Sequence, residues 1–175
     1  MLNRKNLAVT FAVVLLLAVL AGCSGGNVMV PDREVAISMD DAMAAQNKAM
    51  EGLMMGSVEW TEGEFSSLLT ALIEQNLGEG APITGVTAWF EPDNMLYLRV
   101  GLPGGLSADL GGQIMVEDNM IKVDLSEAGA AGMAVSGAML DVVEGAINRA
   151  LDDPSLGVAV NVETGDGTLA LSLGQ

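Results

Sequence analysis

The spacing of apolar residues along the chain predicts its secondary structure. Apolar positions recur every three or four residues over 38–56, 62–77 and 137–152, which predicts three helices. They alternate with polar positions over 83–125 and 158–173, which predicts four consecutive strands before the last helix and a hairpin after it. We therefore expect an α+β fold, in which a curved antiparallel sheet of about six strands packs on two to three helices.

The second predicted helix has the clearest start and stop signals. Thr61 and Glu64 have the spacing of a capping box, and Trp60 and Phe65 have the spacing of a hydrophobic staple. Gly78 follows at the position where helices commonly end. The apolar stripe of this helix consists of Phe65, Leu68, Leu69, Leu72 and Ile73. We expect the helix to pack on the sheet through this stripe.

The first predicted helix, over 38–56, has an apolar stripe made mostly of methionine. The stripe consists of Met39, Met43, Met50, Leu53 and Met54. We expect it to pack on the rest of the domain. Because methionine side chains are flexible and polarizable, an alternative is that the helix forms a lid over an apolar ligand. Binding of Cu(I) through the thioethers is disfavoured, since the chain has no His and only one Cys.

The predicted sheet is wider than the helices that cover it. Six strands at about 4.8 Å span roughly 29 Å, whereas two helices at separations of about 8 to 10 Å cover roughly 16 to 20 Å. Either the methionine-rich helix fills the difference, or an apolar groove remains that admits a lipid or another hydrophobic molecule. The residues expected to line or cover this groove are Met39, Met43, Met50, Leu53, Met54, Phe65, Leu69 and Leu72.

The N-terminal segment has the pattern of an export signal. Arg4 and Lys5 precede an apolar run over 7–20, and the segment contains no acidic residue. At about 14 residues this run is shorter than the roughly 20 that a membrane-spanning helix needs. The run leads into Leu20-Ala21-Gly22-Cys23, which resembles the lipobox of bacterial lipoproteins.

This resemblance implies that residues 1–22 are removed as a signal peptide and that Cys23 becomes a lipidated N-terminus. Residues 23–37 then form the lipidated cysteine and a tether, before the methionine-rich helix and a single α+β domain over 57–175. Because the residue after the cysteine is Ser rather than Asp, the resemblance implies the outer membrane of a bacterium with two membranes, and otherwise the outer face of the plasma membrane. We expect an exported protein held to the cell envelope by acyl chains.

The composition excludes several classes of function. The chain has 7 Lys and Arg, 23 Asp and Glu, no His and one Cys, for a net charge of −16. The absence of His removes Ser-His-Asp and Cys-His machinery and histidine metal sites. So few basic residues disfavour binding to nucleic acid. We therefore expect no enzymatic activity, no metal, no cofactor and no nucleic-acid partner. Without residues 1–22, five bases and 23 acids remain, so the mature chain has a net charge of −18.

A second resemblance concerns the domain. The phrase Trp60-Thr61-Glu62-Gly63-Glu64-Phe65 opens a Leu-rich helix that is followed by consecutive strands, another helix and a closing hairpin. This order resembles small secreted or lipid-anchored bacterial proteins related to the tubular lipid-binding (TULIP) superfamily, over about 58–175. The resemblance implies a strongly bent antiparallel sheet wrapped around a long helix, with lipid held by shape inside it.

Two functions follow as expectations. The first is a membrane-anchored lipoprotein whose domain binds or shuttles a lipid, or another hydrophobic ligand, in the groove between sheet and helices. The alternative is a non-catalytic structural or interaction lipoprotein of the cell envelope, with a filled core and no ligand. A continuous apolar cavity of about 300 Å³ or more between sheet and helices would favour the first.

Overall fold

The structure is a computed structural model, which describes residues 28–78, 81–129, 137–153, 156 and 158–174. It confirms the α+β class. The helices are α1 (Met39–Met55), α2 (Glu62–Leu77) and α3 (Gly137–Leu151). The strands are β1 (Ser57–Thr61), β2 (Gly85–Glu91), β3 (Met95–Leu102), β4 (Leu106–Glu117), β5 (Met120–Gly129), β6 (Ala159–Thr164) and β7 (Thr168–Leu173). Among the described residues, no helix is both long and apolar enough to cross a membrane.

The seven strands form two antiparallel sheets. One sheet has the order β2-β3-β4-β5 and the other has the order β1-β7-β6. The additional strand is β1, a segment that the sequence indicated only as the lead-in to α2. Its residues alternate between exposed and buried, and it pairs with β7 along its whole length. At 5 residues it is too short for its period to be distinguished from the flanking helical patterns.

One hydrophobic core joins the helices and both sheets. The predicted stripe of α2 is confirmed, because Phe65, Leu68, Leu69, Leu72 and Ile73 are each no more than 3% exposed. These residues belong to the same buried cluster as the inward faces of the four central strands and of α3. In the described part of the chain, every buried side-chain nitrogen and oxygen has a hydrogen-bond partner. The described interior is therefore an apolar core whose buried polar side chains are satisfied.

The last hairpin differs from its predicted pattern at β6. Alternation suggested that Val158, Val160 and Val162 share one face. In the structure Val158 and Val160 are exposed, whereas Ala159 and Val162 are buried. The pairing of β6 with β7 shifts register between Ala159 and Asn161. Such an irregularity adds a residue to one strand and reverses the side-chain alternation beyond it, so a strict period of two assigned the first two valines to the wrong face.

Polar side chains of α2 bind along the outer strand β2. Three acceptors on α2 are spaced four residues apart, or about 6 Å along a helix. They accept from backbone N–H groups of β2 that are two residues apart, or about 6.8 Å along a strand. The N–H of Phe90 donates to Glu62 Oε1 (2.8 Å), that of Ala88 to Ser66 Oγ (2.8 Å) and that of Val86 to Thr70 Oγ1 (3.1 Å). Thus α2 takes the place of a neighbouring strand.

Helix α3 does the same at the opposite edge of this sheet. Asn148 accepts from the N–H of Val123 (2.8 Å) and donates to its carbonyl oxygen (2.9 Å). Glu144 accepts from the N–H of Leu125 (2.8 Å). Backbone groups of both outer strands are therefore occupied by helix side chains, which protects the four-stranded sheet from pairing with another chain.

Candidate functional site

The segment before α1 is bound to the domain. Residues 28–38, hereafter the N-terminal strap, pass over the start of α2 and the outer strand β2. The indole N–H of Trp89 donates to the carbonyl oxygen of Arg33 (2.9 Å), and the N–H of Ser38 donates to Ser67 Oγ (3.0 Å). The part of the predicted tether that the structure describes is therefore docked. Cys23 lies outside the described residues.

The strap is held by a cluster of charges around Arg33. The guanidinium forms hydrogen bonds with both carboxylate oxygens of Glu62 at 2.6 to 3.1 Å, and it reaches Glu91 at 2.9 Å and Asp166 at 3.3 Å. It also donates to the carbonyl oxygen of Phe90 (2.8 Å). The hydrogen bond to Glu62 raises the pKa of Arg33, with a further contribution from Glu91. The cluster links the strap, α2, β2 and the turn between β6 and β7.

The Arg33 cluster has the properties of a structural anchor. Its central carboxylate, Glu62, is only 10% exposed at the side chain and also accepts the N–H of Phe90. The guanidinium occupies the position between the carboxylates that a metal ion would need. Among the described residues, no group of three or more His, Cys, Asp or Glu side chains is arranged to hold a metal ion.

Helix α1 packs through a different face from the predicted one. Met39, Met43, Met50, Leu53 and Met54, hereafter the methionine face, are 41 to 78% exposed. The buried residues of α1 are Ala42, Ala45, Ala49 and Gly52. The expectation that the methionine stripe packs on the domain is therefore wrong. A Cβ atom on Gly52 would lie 2.9 Å from both the carbonyl oxygen of Ser57 and Cβ of Val58, so the contact is too close for a large side chain.

Two polar contacts fix this orientation of α1. The indole N–H of Trp60 donates to the carbonyl oxygen of Ala45 (3.0 Å), and Lys48 lies 2.7 Å from the Glu64 carboxylate. Burial raises the pKa of Glu64, but hydrogen bonds from Lys48 and Thr61 outweigh burial and hold the pKa below its usual value. The same glutamate completes the capping box of α2 with Thr61, as predicted. One carboxylate thus joins α1 to the start of α2.

The orientation of α1 leads to a prediction for two adjacent alanines. Ala45 is fully buried, whereas Ala44 is half-buried. We expect Ala45→Leu to lower the free energy of unfolding by about 1 to 3 kcal/mol, because the larger side chain overpacks the contact. The matched change Ala44→Leu should cost less than about 0.5 kcal/mol. Urea unfolding followed by tryptophan fluorescence measures both, and a greater loss for Ala44→Leu would contradict the observed packing.

The eight residues predicted to form a groove are not brought together. Phe65, Leu69 and Leu72 are in the core, each no more than 2% exposed, while the five residues of the methionine face point to solvent. Met50 and Leu72 meet at a cleft between α1, α2 and the segment after α3. The cleft has a volume of about 270 Å³ and is lined by Gln46, Ala49, Met50, Leu72, Gln75, Asp153 and Leu156.

This cleft is smaller and more polar than a ligand cavity for a lipid. Ligand sites have volumes of about 300 to 1,000 Å³ and mostly apolar walls, whereas three of the seven lining residues here are Gln or Asp. A second depression, of about 220 Å³, lies on the three-stranded sheet beside Glu59 and Glu163. The cleft can accept a side chain or the end of an acyl chain. The methionine face continues directly from it.

In comparisons with known proteins, no protein-family model, curated protein or solved structure matches this chain. The described residues therefore define the protein only as an α+β domain with a buried hydrophobic core, a docked N-terminal strap and an exposed apolar face on α1.

Proposed function

We propose that this protein is a lipid-anchored protein of the bacterial cell envelope that acts by non-covalent contact with another protein, without catalysis and without a ligand inside its fold. The observation that carries the proposal is the outward methionine face of α1, together with the burial of Phe65, Leu69 and Leu72 in the hydrophobic core. Isolated exposed apolar residues are common on protein surfaces, but several large ones grouped on one helix are typical of an interaction site.

The anchoring part of the proposal depends on the lipobox-like sequence at Cys23. Val28, where the described strap begins, is five positions after Cys23, and five residues span at most about 17 Å when fully extended. The strap is bound to the domain through Arg33 and Trp89. Acyl chains on Cys23 would therefore hold the folded domain within a short distance of the bilayer, and a partner at the membrane would meet it there.

The contact part is tested by site-specific photo-cross-linking in the producing bacterium. Benzoylphenylalanine is placed at Met54, which is 78% exposed on the methionine face, or at Val160, which is 59% exposed on β6. We expect a protein adduct from position 54 and none from position 160. The absence of an adduct at position 54, or equal adducts from both positions, would argue against the methionine face as the contact.

Lipid binding is the competing result, and extraction of the purified full chain with organic solvent measures it. We expect no stoichiometric non-covalent lipid. About one equivalent of lipid per chain, lost in the cleft-filling variant Met50→Trp, would instead assign the protein to lipid binding. Met50 lines the cleft and is 57% exposed, so a bulky residue there can occupy the space without overpacking the buried contact of α1; Thr164→Ser, a change remote from the cleft, serves as the control.

A further inference from the structure

The methionine face and the cleft beside it form one continuous surface, because Met50 belongs to both. From Met39 to Met54 the face extends about 23 Å along α1, at 1.5 Å per residue. The exposed Gln46 and Asn47 lie within this stretch, before Met50. The adjoining cleft, of about 270 Å³, has room for inserted side chains. A long apolar ridge beside a groove matches an elongated amphipathic segment better than a small compact ligand.

The charge around this surface is negative. The described residues include five Lys and Arg and 22 Asp and Glu. Four of those five bases are ion-paired with the protein's own carboxylates. On α1, the single base Lys48 lies 2.7 Å from Glu64, while Asp40 and Glu51 are exposed on the flank of the methionine face. An approaching partner therefore meets a field that attracts cations.

The C-terminal end of α1 adds to this negative field. The end of a helix carries a partial negative charge from its unpaired carbonyl groups, and the last turn of α1 contains no basic residue. Leu53 and Met54 of the methionine face lie in this turn. The last turn of α1 therefore combines exposed apolar side chains with a negative potential that attracts cations.

We propose that the methionine face and the adjoining cleft bind a cationic amphipathic helix of a partner protein. The proposal rests on the proposed function and specifies the chemistry of the partner. The apolar side of the partner helix packs on the flexible methionine side chains, which adapt to varied apolar shapes. Its Lys or Arg side chains lie beside Asp40, Glu51 and the C-terminal end of α1, where charge complementarity fixes orientation and speeds association.

Two other occupants fit the surface less well. A helix that lies on a bilayer has basic residues on its flanks and often aromatic residues at the interface, whereas the exposed flank of α1 carries Asp40 and Glu51 and the helix contains no aromatic residue. Anionic head groups would repel it. A second copy of this chain, docked by a two-fold axis, would bring the same acidic flanks together, and like charges across an interface are costly.

The test uses the full, lipidated chain in nanodiscs of phosphatidylcholine. The probe is an 18-residue Leu/Lys peptide of helical period with a central diazirine, and a Leu/Glu peptide of the same pattern is the charge control. The yield of the covalent peptide–protein adduct is measured on a gel. We expect an adduct with the Leu/Lys peptide, and a yield at least about tenfold lower with the Leu/Glu peptide.

The surface is assigned by a pair of matched variants. In Met43→Ser/Met50→Ser/Met54→Ser we expect the adduct yield to fall at least about fivefold. In Val142→Ser/Val158→Ser/Val160→Ser, which alters three apolar residues 49 to 59% exposed outside α1, the yield should be unchanged. Raising NaCl from about 0.1 M to 1 M shortens the Debye length from about 10 Å to about 3 Å, and should lower the yield about threefold or more.

The remaining outcomes separate this proposal from the proposed function. Equal yields with the two peptides, or equal loss in the two serine variants, would overturn the cationic-helix proposal. An adduct at position 54 in cells would still support contact through the methionine face. Binding of the protein to empty phosphatidylglycerol vesicles through Met43, Met50 and Met54 would assign the face to the membrane. A dimer in sedimentation experiments that is lost in the methionine variant would assign the face to a second copy, and either result overturns the proposal.

Discussion

Replacement of Arg33 by Ala is expected to lower the free energy of unfolding by about 2 to 4 kcal/mol. The substitution leaves Glu62, whose side chain is 10% exposed, without the cation that compensates its burial. Breaking a buried ion pair by removal of one partner costs about 3 to 5 kcal/mol. The expected loss is somewhat smaller here because the side chain of Arg33 is 34% exposed. The Phe90 carbonyl oxygen also loses a donor.

The matched control for Arg33→Ala is Arg99→Ala. Arg99 also makes a two-point contact with a carboxylate, at 2.7 and 3.0 Å from the Asp109 oxygens, but its side chain is 48% exposed. Exposed ion pairs contribute about 1 kcal/mol or less. Urea is the suitable denaturant, because it does not screen charge, and Trp60 and Trp89 report unfolding. Equal losses in the two variants would show that the Arg33 cluster is not a buried anchor.

A further consequence concerns the strap itself. If Arg33 and Trp89 hold the strap on the domain, the variant Arg33→Ala should also release it before global unfolding. Limited proteolysis then cleaves within 28–38 faster than in the Arg99→Ala protein. Cleavage at equal rates would indicate that the other strap contacts are sufficient for docking. We expect release of the strap before global unfolding because few polar contacts outside the Arg33 cluster hold it on the domain.

Substitution of Gly112 by Ala is expected to cost about 3 kcal/mol or more. Gly112 is buried at a register shift between β4 and β5. A Cβ atom there would overlap the carbonyl oxygen of Asp124 and lie 2.9 Å from Cα of Leu125. Both neighbours are backbone atoms of a paired strand, so relief requires separation of the strands. Overpacking typically costs about 1 to 3 kcal/mol, and rigid backbone neighbours place this case at or above the upper end of that range.

The adjacent glycine is the control for Gly112→Ala. A Cβ atom on Gly111 would meet side-chain atoms of Glu127, Tyr97 and Val28 at 3.5 to 3.6 Å, which is ordinary van der Waals contact. We expect Gly111→Ala to change the free energy of unfolding by less than about 1 kcal/mol. Thermal unfolding followed by circular dichroism compares the two variants. Similar melting temperatures would contradict the close backbone approach at Gly112.

Local signals in the sequence were sufficient for the positions of the helices. Ser38 caps α1 by accepting the N–H of Asp41, and Gly56 ends it in a left-handed conformation. Thr61 and Glu64 form the capping box of α2. These are interactions between residues three or four apart, so the sequence contains both partners. The inward positions of β2 to β5 were predictable for the same reason, because one buried face imposes a period of two.

The polar residues that support the site could not be found in this way. Glu62, Ser66 and Thr70 are spaced four apart along α2, a regularity that indicates a common helix side but not its neighbour. Their partners in β2 are 16 to 28 residues away. The contact of Arg33 with Glu62 spans 29 residues, and nothing in the residues around Arg33 indicates it.

The sequence by itself determined the helices, most of the strand alternation and the acidic excess, because each depends on composition or on neighbours within a few positions. Only the tertiary structure decided that the strands form two sheets and that α1 turns its methionines outward. The buried residues of α1 are all Ala or Gly, and Gly52 allows the helix to approach Ser57 and Val58 of β1 closely, whereas the methionine side is too bulky for that approach. The more hydrophobic face of an amphipathic helix is the natural candidate for burial, but shape complementarity with β1 selected the smaller one.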